Sequence, residues 1–216
     1  MGSGMSFDGV APFYRGMERF LAGGILQKAR TCHFDRLQAA RSILIVGEGI
    51  GRSLEVLIPQ APLADITVVE ASGGMIEVAH KRLQKGNLPT ARVCWHQADI
   101  RSWDIAARSF DAVITPFVLD CFIRDDVDAV VSHIAGSVTP GGQWLHADFQ
   151  IPPHGWRRAR ARLIHALMYR TFRTLVHLES REATPVAPYL QRSGFQLEAQ
   201  AEFCARLIRS EVWRAP

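Results

Sequence analysis

The sequence is short of several things, and each shortage closes off a class of protein. Four cysteines in 216 residues, Cys32, Cys94, Cys121 and Cys204, lie far apart with no CxxC pair, so neither a disulfide framework nor a zinc knuckle is expected. Apolar neighbours such as Val93 and Phe122 mark them as buried thiols. No apolar run approaches the ~18 residues a membrane helix needs, and the N-terminus lacks the charged-then-apolar layout of a secretory leader. No histidines and carboxylates stand at metal-ligand spacing, so no metal is expected. Lysine is nearly missing: Lys28, Lys81 and Lys85 stand beside 22 arginines. The net charge of +4 is too small to argue for nucleic acid by itself.

What remains is a globular composition, 48% hydrophobic and 21% charged, and a length suited to one α/β domain in the cytoplasm, as a monomer or homodimer. Residues 1–5 read as a cloning remnant and 6–40 as N-terminal cap helices. From residue 42 onward, strand-like runs alternate with helical segments. Ser42 to Val46 is a continuous apolar, β-branched run, as a strand buried on both faces would be. Ile66 to Val69, Arg92 to His96, Ala112 to Thr115 and Gln143 to Phe149 repeat the type, with helices expected at about 52–60, 73–85 and 125–138. Val138 to Gly142 reads as a helix stop and tight turn before the fifth strand. An Arg-rich region over 150–193 follows, then two terminal strands, Phe195 to Glu202 and Cys204 to Trp213. The rhythm predicts an α/β fold: a Rossmann-like, mostly parallel seven-stranded sheet, helices on both faces, and a C-terminal antiparallel hairpin.

The most informative stretch is Ile43 to Leu54. A buried strand runs into Gly47, Gly49 and Gly51 on alternate positions and then into a helix. Missing Cβ atoms let such a loop approach a ligand, and the helix N-terminus offers free N–H groups. Nineteen residues past Gly51, the second strand ends in Glu70, a carboxylate placed to accept from a ribose diol. The spacing predicts a nucleoside-type cofactor. A dinucleotide fingerprint would put its third glycine where Arg52 stands, and no P-loop lysine follows.

These residues resemble the first two motifs of class I S-adenosylmethionine-dependent methyltransferases. Gln97 to Ile100 resembles the family's acidic motif after the third strand, Phe110 to Ile114 its fourth-strand motif, and Thr139 to Gly142 its turn before the fifth. Asp8 to Tyr14 looks like the entry helix of the ubiquinone/menaquinone-type, small-molecule branch. The resemblance implies that the cofactor is S-adenosylmethionine, with S-adenosylhomocysteine as product. It places Gly47, Gly49 and Gly51 at the methionine end, Glu70 on the ribose hydroxyls, Asp99 on the adenine amino group and Ile100 on a ring nitrogen. Ala71, Ser72 and Met75 would pack beside ribose and adenine, and Pro116 would line the same site; Glu48 is counted with this set but carries no assigned role.

The acceptor side is less determined. Methyl transfer from a sulfonium needs alignment and exclusion of water, and a base only where the acceptor carries a proton to lose. Asp120, His146 and His154 are the candidate bases; Tyr14, Phe117, Asp120 and His154 are the candidate acceptor contacts. Thr115-Pro116-Phe117 lacks the Asn/Asp-Pro-Pro-aromatic sequence expected of amine methyltransferases acting on adenine or glutamine. Six arginines over 157–173, interleaved with Leu163, Ile164, Leu167, Met168 and Phe172, form an amphipathic cover helix with a solvated basic face, or one that meets an anionic acceptor or a lipid surface. The expected activity is methylation of oxygen or nitrogen on a small or medium organic acceptor, anionic or lipid-like. RNA or protein methylation and non-catalytic cofactor binding or scaffolding are the alternatives.

Overall fold

A computed structural model describes residues 24–176 and 184–216, with side chains for 24–165 and 184–216. Short helix α1 (Ile25–Thr31) and a 3-10 turn (Phe34–Leu37) precede β1 (Ser42–Val46). Then follow α2 (Arg52–Gln60), β2 (Asp65–Glu70), α3 (Gly73–Lys85), β3 (Val93–Gln97), β4 (Phe110–Pro116), α4 (Arg124–Ala135) and β5 (Val138–Phe149). The chain continues through α5 (Gly155–Val176) and α6 (Ala187–Arg192) to β6 (Gln196–Phe203) and β7 (Ile208–Arg214). The remainder of the expected cap helices, with Tyr14 and the Asp8 to Tyr14 segment, lies outside the described residues.

All seven strands form one sheet in the order β3-β2-β1-β4-β5-β7-β6. β1 pairs in parallel with β2 and β4, and β7 is antiparallel to both of its neighbours. Because the chain leaves β1 toward β2 and later returns to its other side as β4, a crevice opens at the carboxyl ends of these strands.

The continuous apolar run of β1 has a packing cause. Leu44 and Val46 pack on one face with Val113, Trp144, Val127, Ile134 and Trp213, while Ile43 and Ile45 pack on the other with Leu54, Leu57, Val68 and Leu83. Alternate residues of a strand face opposite sides, so a strand covered on both sides needs apolar residues throughout.

Three local expectations are corrected. The stretch Val138 to Gly142 is not a turn ahead of a strand but the start of β5: Phe110 pairs with Val138, and a register shift before Ala112 absorbs the extra residues. The glycines are still needed, since Gly141 has φ 72° and a Cβ on Gly142 would lie 2.8 Å from Thr139 O. The terminal strands are separated by a full turn in which Cys204, Ala205 and Arg206 all take positive φ. The cysteines are not buried thiols: Cys32 and Cys94 are exposed, and Cys121 and Cys204 half-buried. Cys94 sits on β3, an edge strand covered only in part, and Cys32 closes the end of α1.

Gly51 ends the β1–α2 loop in a left-handed conformation (φ 85°), and a Cβ there would stand 3.0 Å from Ala79 Cα and Cβ on α3. Gly51→Ala is therefore expected to destabilise the protein by about 1–3 kcal/mol through strain and overpacking. A thermal melt checks this, with the midpoint falling about 2–4 °C for each kcal/mol at this size.

Candidate functional site

A cavity of about 370 Å³ opens at the carboxyl edge of the sheet. Its walls come from the β1–α2 loop (46–50 and Arg52), the end of β2 with Ala71 and Met75, residues 97–101, and Pro116, Phe117, Val118, Cys121 and Phe122 after β4. Arg30 of α1 closes one side. Most of the expected cofactor set is thus brought together: Gly47, Glu48, Gly49, Glu70, Ala71, Met75, Asp99, Ile100 and Pro116 all line the cavity, and so does Phe117.

The three loop glycines have different physical reasons. A Cβ on Gly47 would lie 2.4 Å from Val118 Cγ2, so this glycine lets the post-β4 segment close over the loop. Gly51 is used against α3 and is not part of the lining. Gly49, with φ 66°, would meet nothing within 4 Å. Its missing side chain leaves open space beside the cavity.

Glu70 is nearly buried and spans the gap between two loops. Oε2 accepts from Gly49 N–H at 2.9 Å and Oε1 from Ser72 N–H at 3.0 Å. Burial raises its carboxyl above the usual range, against the opposing effect of backbone donors at Ser72, Gly49 and Ala71. Each carboxylate oxygen keeps a further lone pair for a donor from the cavity.

Glu48, which carried no assigned role, lines the cavity but is engaged by the chain itself. Its Oε1 turns under α2 and accepts from Ser53 N–H at 2.7 Å and Leu54 N–H at 3.0 Å, capping the helix N-terminus. Oε2 is buried with no hydrogen-bond partner among the described residues. Desolvation raises this carboxyl to about 7 despite the capping bonds and the attraction of Arg30.

Asp99 is engaged from the side by Arg101. Its carboxylate accepts from Arg101 N–H at 2.9 Å and from the guanidinium at 2.7 to 3.1 Å, and that guanidinium also pairs with Asp126 at 3.2 Å. Arg101 holds the Asp99 carboxyl below the usual carboxylate range. Ile100 beside it is 4% exposed and supplies apolar wall.

After β4 the backbone is strained. Phe117 has φ 58°, uncommon for a bulky residue, and its N–H donates to Ala147 O at 2.7 Å. The Arg30 guanidinium lies 5.3 Å from its ring centroid. Next come half-buried Asp120 and buried Asp148, on the tips of adjacent elements. Asp120 N–H donates to Asp148 Oδ2 at 3.1 Å, the two carboxyls are in hydrogen-bond contact, and Cys121 Sγ meets Asp120 Oδ1 at 3.6 Å. Burial raises Asp120 to about 6 and Asp148 well above its ordinary value, the latter also because Asp120 stands beside it. Two adjacent carboxylates cannot both ionise without repulsion, so the pair retains a proton.

Asp120 stands beside the wall residue Cys121 and is not itself in the lining, and neither are the other expected bases. His146 is buried within the sheet at 3.1 Å from Thr115 Oγ1, which also accepts Trp144 Nε1–H at 2.9 Å, and burial lowers its pKa. His154 lies in the exposed β5–α5 turn, away from the lining. Arg30, Arg101, Val118, Cys121 and Asp148 were missed by sequence reasoning. Asp148 alone had a signal, its alternation with His146 on one strand face.

The profile of the methyltransferase domain family matches residues 43–142. Residues 43–142 are thus similar to methyltransferase domains. Solved structures agree in fold. An O-methyltransferase family protein from Burkholderia thailandensis superposes with a TM-score of 0.72 at 16% identity, over 95% of this chain and 59% of that one. Mitomycin 7-O-methyltransferase gives 0.72 at 20% identity, over 99% and 62%. A Burkholderia thailandensis 1,6-didemethyltoxoflavin-N1-methyltransferase, solved with that compound and S-adenosylhomocysteine, gives 0.67 at 16%, over 95% and 84%. This chain therefore spans about three fifths of the first two. No curated protein matches its sequence.

The matched methyltransferase family implies S-adenosylmethionine as cofactor, and the residues present fit it. Gly49 leaves space that a Cβ would fill, Glu70 keeps acceptor capacity in a desolvated setting, and Ile100, Met75 and Phe122 give an apolar wall for a base.

Glu48 generates a prediction on stability. Its proton is held more tightly in the folded than in the unfolded chain, so the stability it contributes is present below about pH 4.5 and lost as pH rises through about 7. The full span is worth roughly 3 kcal/mol. Glu48→Gln keeps a capping oxygen without the charge. Melting midpoints measured from pH 5 to 8 should show the variant gaining on wild type as pH rises; parallel curves would contradict the assignment.

Proposed function

We propose that this chain transfers a methyl group from S-adenosylmethionine to oxygen or nitrogen of a small or medium organic acceptor. The observation that carries the reading is the single cavity in which Glu70, with its spare acceptor capacity, is continuous with the strained Phe117 wall and with Cys121 beside the Asp120–Asp148 pair.

In this reading Glu70 accepts from the ribose hydroxyls, and Ile100 with Met75 flanks the adenine. Asp99, already turned to Arg101, shares its carboxylate with the adenine amino group. Gly49 gives the methionine end its closest approach, and Arg30 faces the same end as the cation near Glu48. The bound cofactor supplies an electrophilic methyl on a sulfonium whose departure needs no acid. The chain's own task is to align the acceptor and exclude water, which Phe117, Val118 and Phe122 do from the post-β4 side. Where the acceptor carries a proton, Asp120 takes it on its carboxylate as the new bond to carbon forms, and Asp148 positions Asp120 through the Asp120 N–H bond.

Two measurements test this. Glu70→Ala should weaken S-adenosylhomocysteine binding by about 10–100-fold in calorimetry, the loss of one or two charge-assisted bonds of about 1.5–3 kcal/mol each. Unchanged affinity in a folded variant sinks the ribose assignment. For a hydroxyl or amine acceptor, kcat/KM should rise with pH through about 6 as Asp120 ionises. Asp120→Asn should remove that limb, and Asp148→Asn should displace it while leaving it visible.

A further inference from the structure

We infer that the outward face of α5 is a docking surface for an anionic phospholipid bilayer. This goes beyond the methyl-transfer reading and does not depend on it.

Trp156 and Leu163 are seven residues apart, two helical turns, and so share one side of α5. They are 65% and 72% exposed, the two most exposed large apolar side chains among the described residues. The opposite side of the helix is already satisfied: Ala161 and Ile164 pack with Phe117, Phe149 and Phe203, and buried His165 meets the Phe149 ring edge-on. An ordinary cover helix has one apolar side. This one has a second, facing out.

The charge around that second face has one sign. Arg157 and Arg162, which flank Trp156 and Leu163 on the two sides, are exposed, and neither takes part in a salt bridge among the described residues, whereas Arg92, Arg192 and Arg214 elsewhere on the surface each pair with a carboxylate. Arg157 lies against the Trp156 ring at 5.8 Å. In sequence there is no acidic residue between Asp148 and Glu179, while six arginines fall there.

Trp and Leu at the centre, guanidinium groups at the rim and no acid are the complement of a lipid headgroup layer: the indole and leucine enter the acyl boundary while the arginines meet phosphates. A single exposed aromatic is a poor stacking platform for RNA. The inward side of the same helix packs on the cluster that includes Phe117, a residue of the cavity wall.

Sedimentation of the full chain with vesicles, without cofactor, tests the assignment independently of methyl transfer. Binding is expected to phosphatidylcholine vesicles that contain phosphatidylserine and not to phosphatidylcholine alone. It should fall steeply as salt is raised, because the Debye length shrinks to about 3 Å at 1 M. Arg157→Gln with Arg162→Gln should reduce partitioning by about fivefold per arginine. Trp156→Ser with Leu163→Ser should reduce it by tenfold or more, with circular dichroism confirming the fold. Should that double variant not fold, brominated lipid serves instead: it should quench wild-type fluorescence, and the quenching should disappear in Trp156→Phe. Equal binding to neutral vesicles, no binding to anionic ones, or unaffected variants would overturn the inference. So would displacement by single-stranded RNA at lower concentration than lipid, or conversion of a dimer to monomer by the serine variant, which would make this face a contact between copies.

Discussion

The carboxylate of Glu70 accepts from Gly49 N–H with one oxygen and from Ser72 N–H with the other, so one side chain fixes the spacing between two loops from neighbouring strands. The rest of the carboxyl edge depends on that spacing. Gly47 can be closed on by Val118 only while its loop is held in, and Ser72 accepts Met75 N–H at 3.2 Å to start α3, whose Ala79 then meets Gly51. The tie is placed in a desolvated position where an unpaired carboxylate would be costly, and two backbone donors are what make it tolerable.

Around Glu70 the charge is organised against the protein's overall sign. A chain of net charge +4 gathers Glu48, Glu70, Asp120 and Asp148 at one sheet edge, each with its carboxyl raised by burial. Arg30 attracts Glu48, Arg52 also lines the cavity, and Arg101 is committed to Asp99 and Asp126. Such a cluster puts acceptor groups and negative charge at the carboxyl edge. It suits a ligand that brings positive charge and hydroxyl donors, as a sulfonium nucleoside does. Three of the four carboxylates also accept from backbone N–H groups of their surroundings, so the negative field is fixed by the fold and not by side-chain rotamers.

Strands β1 to β5, the glycine loop and Glu70 could be read from sequence because their signals are local. A strand covered on both faces must be apolar throughout, and a loop that passes close to a helix must lack Cβ atoms. What was not legible depends on contacts across the fold. Glu48 reads only as a residue of the glycine loop, yet the free amides of Ser53 and Leu54 draw its carboxylate inward. Asp99 carries the expected motif, but nothing in the motif foretells that Arg101 two residues on folds back onto it. Asp120 and Asp148 are 28 residues apart and meet only because β4 and β5 are paired. The start of β5 reads as a turn because its glycines serve a register shift that exists only against Phe110. Histidine misled for the same reason: His146 has the right type and strand end, but Thr115 and Trp144 claim its side of the sheet.

Phe117 joins these levels. A bulky residue with φ 58° costs of order 1–3 kcal/mol and persists only where its surroundings over-determine it. Three independent contacts do so: the hydrogen bond to Ala147 O, the Arg30 guanidinium over its ring, and the packing of its ring against Phe149 at 5.4 Å. A glycine would relieve the strain and remove the wall. The ring belongs at once to the cavity wall and to the apolar cluster that Ala161 and Ile164 of α5 complete, so the one strained residue serves both the site and the core beneath that helix.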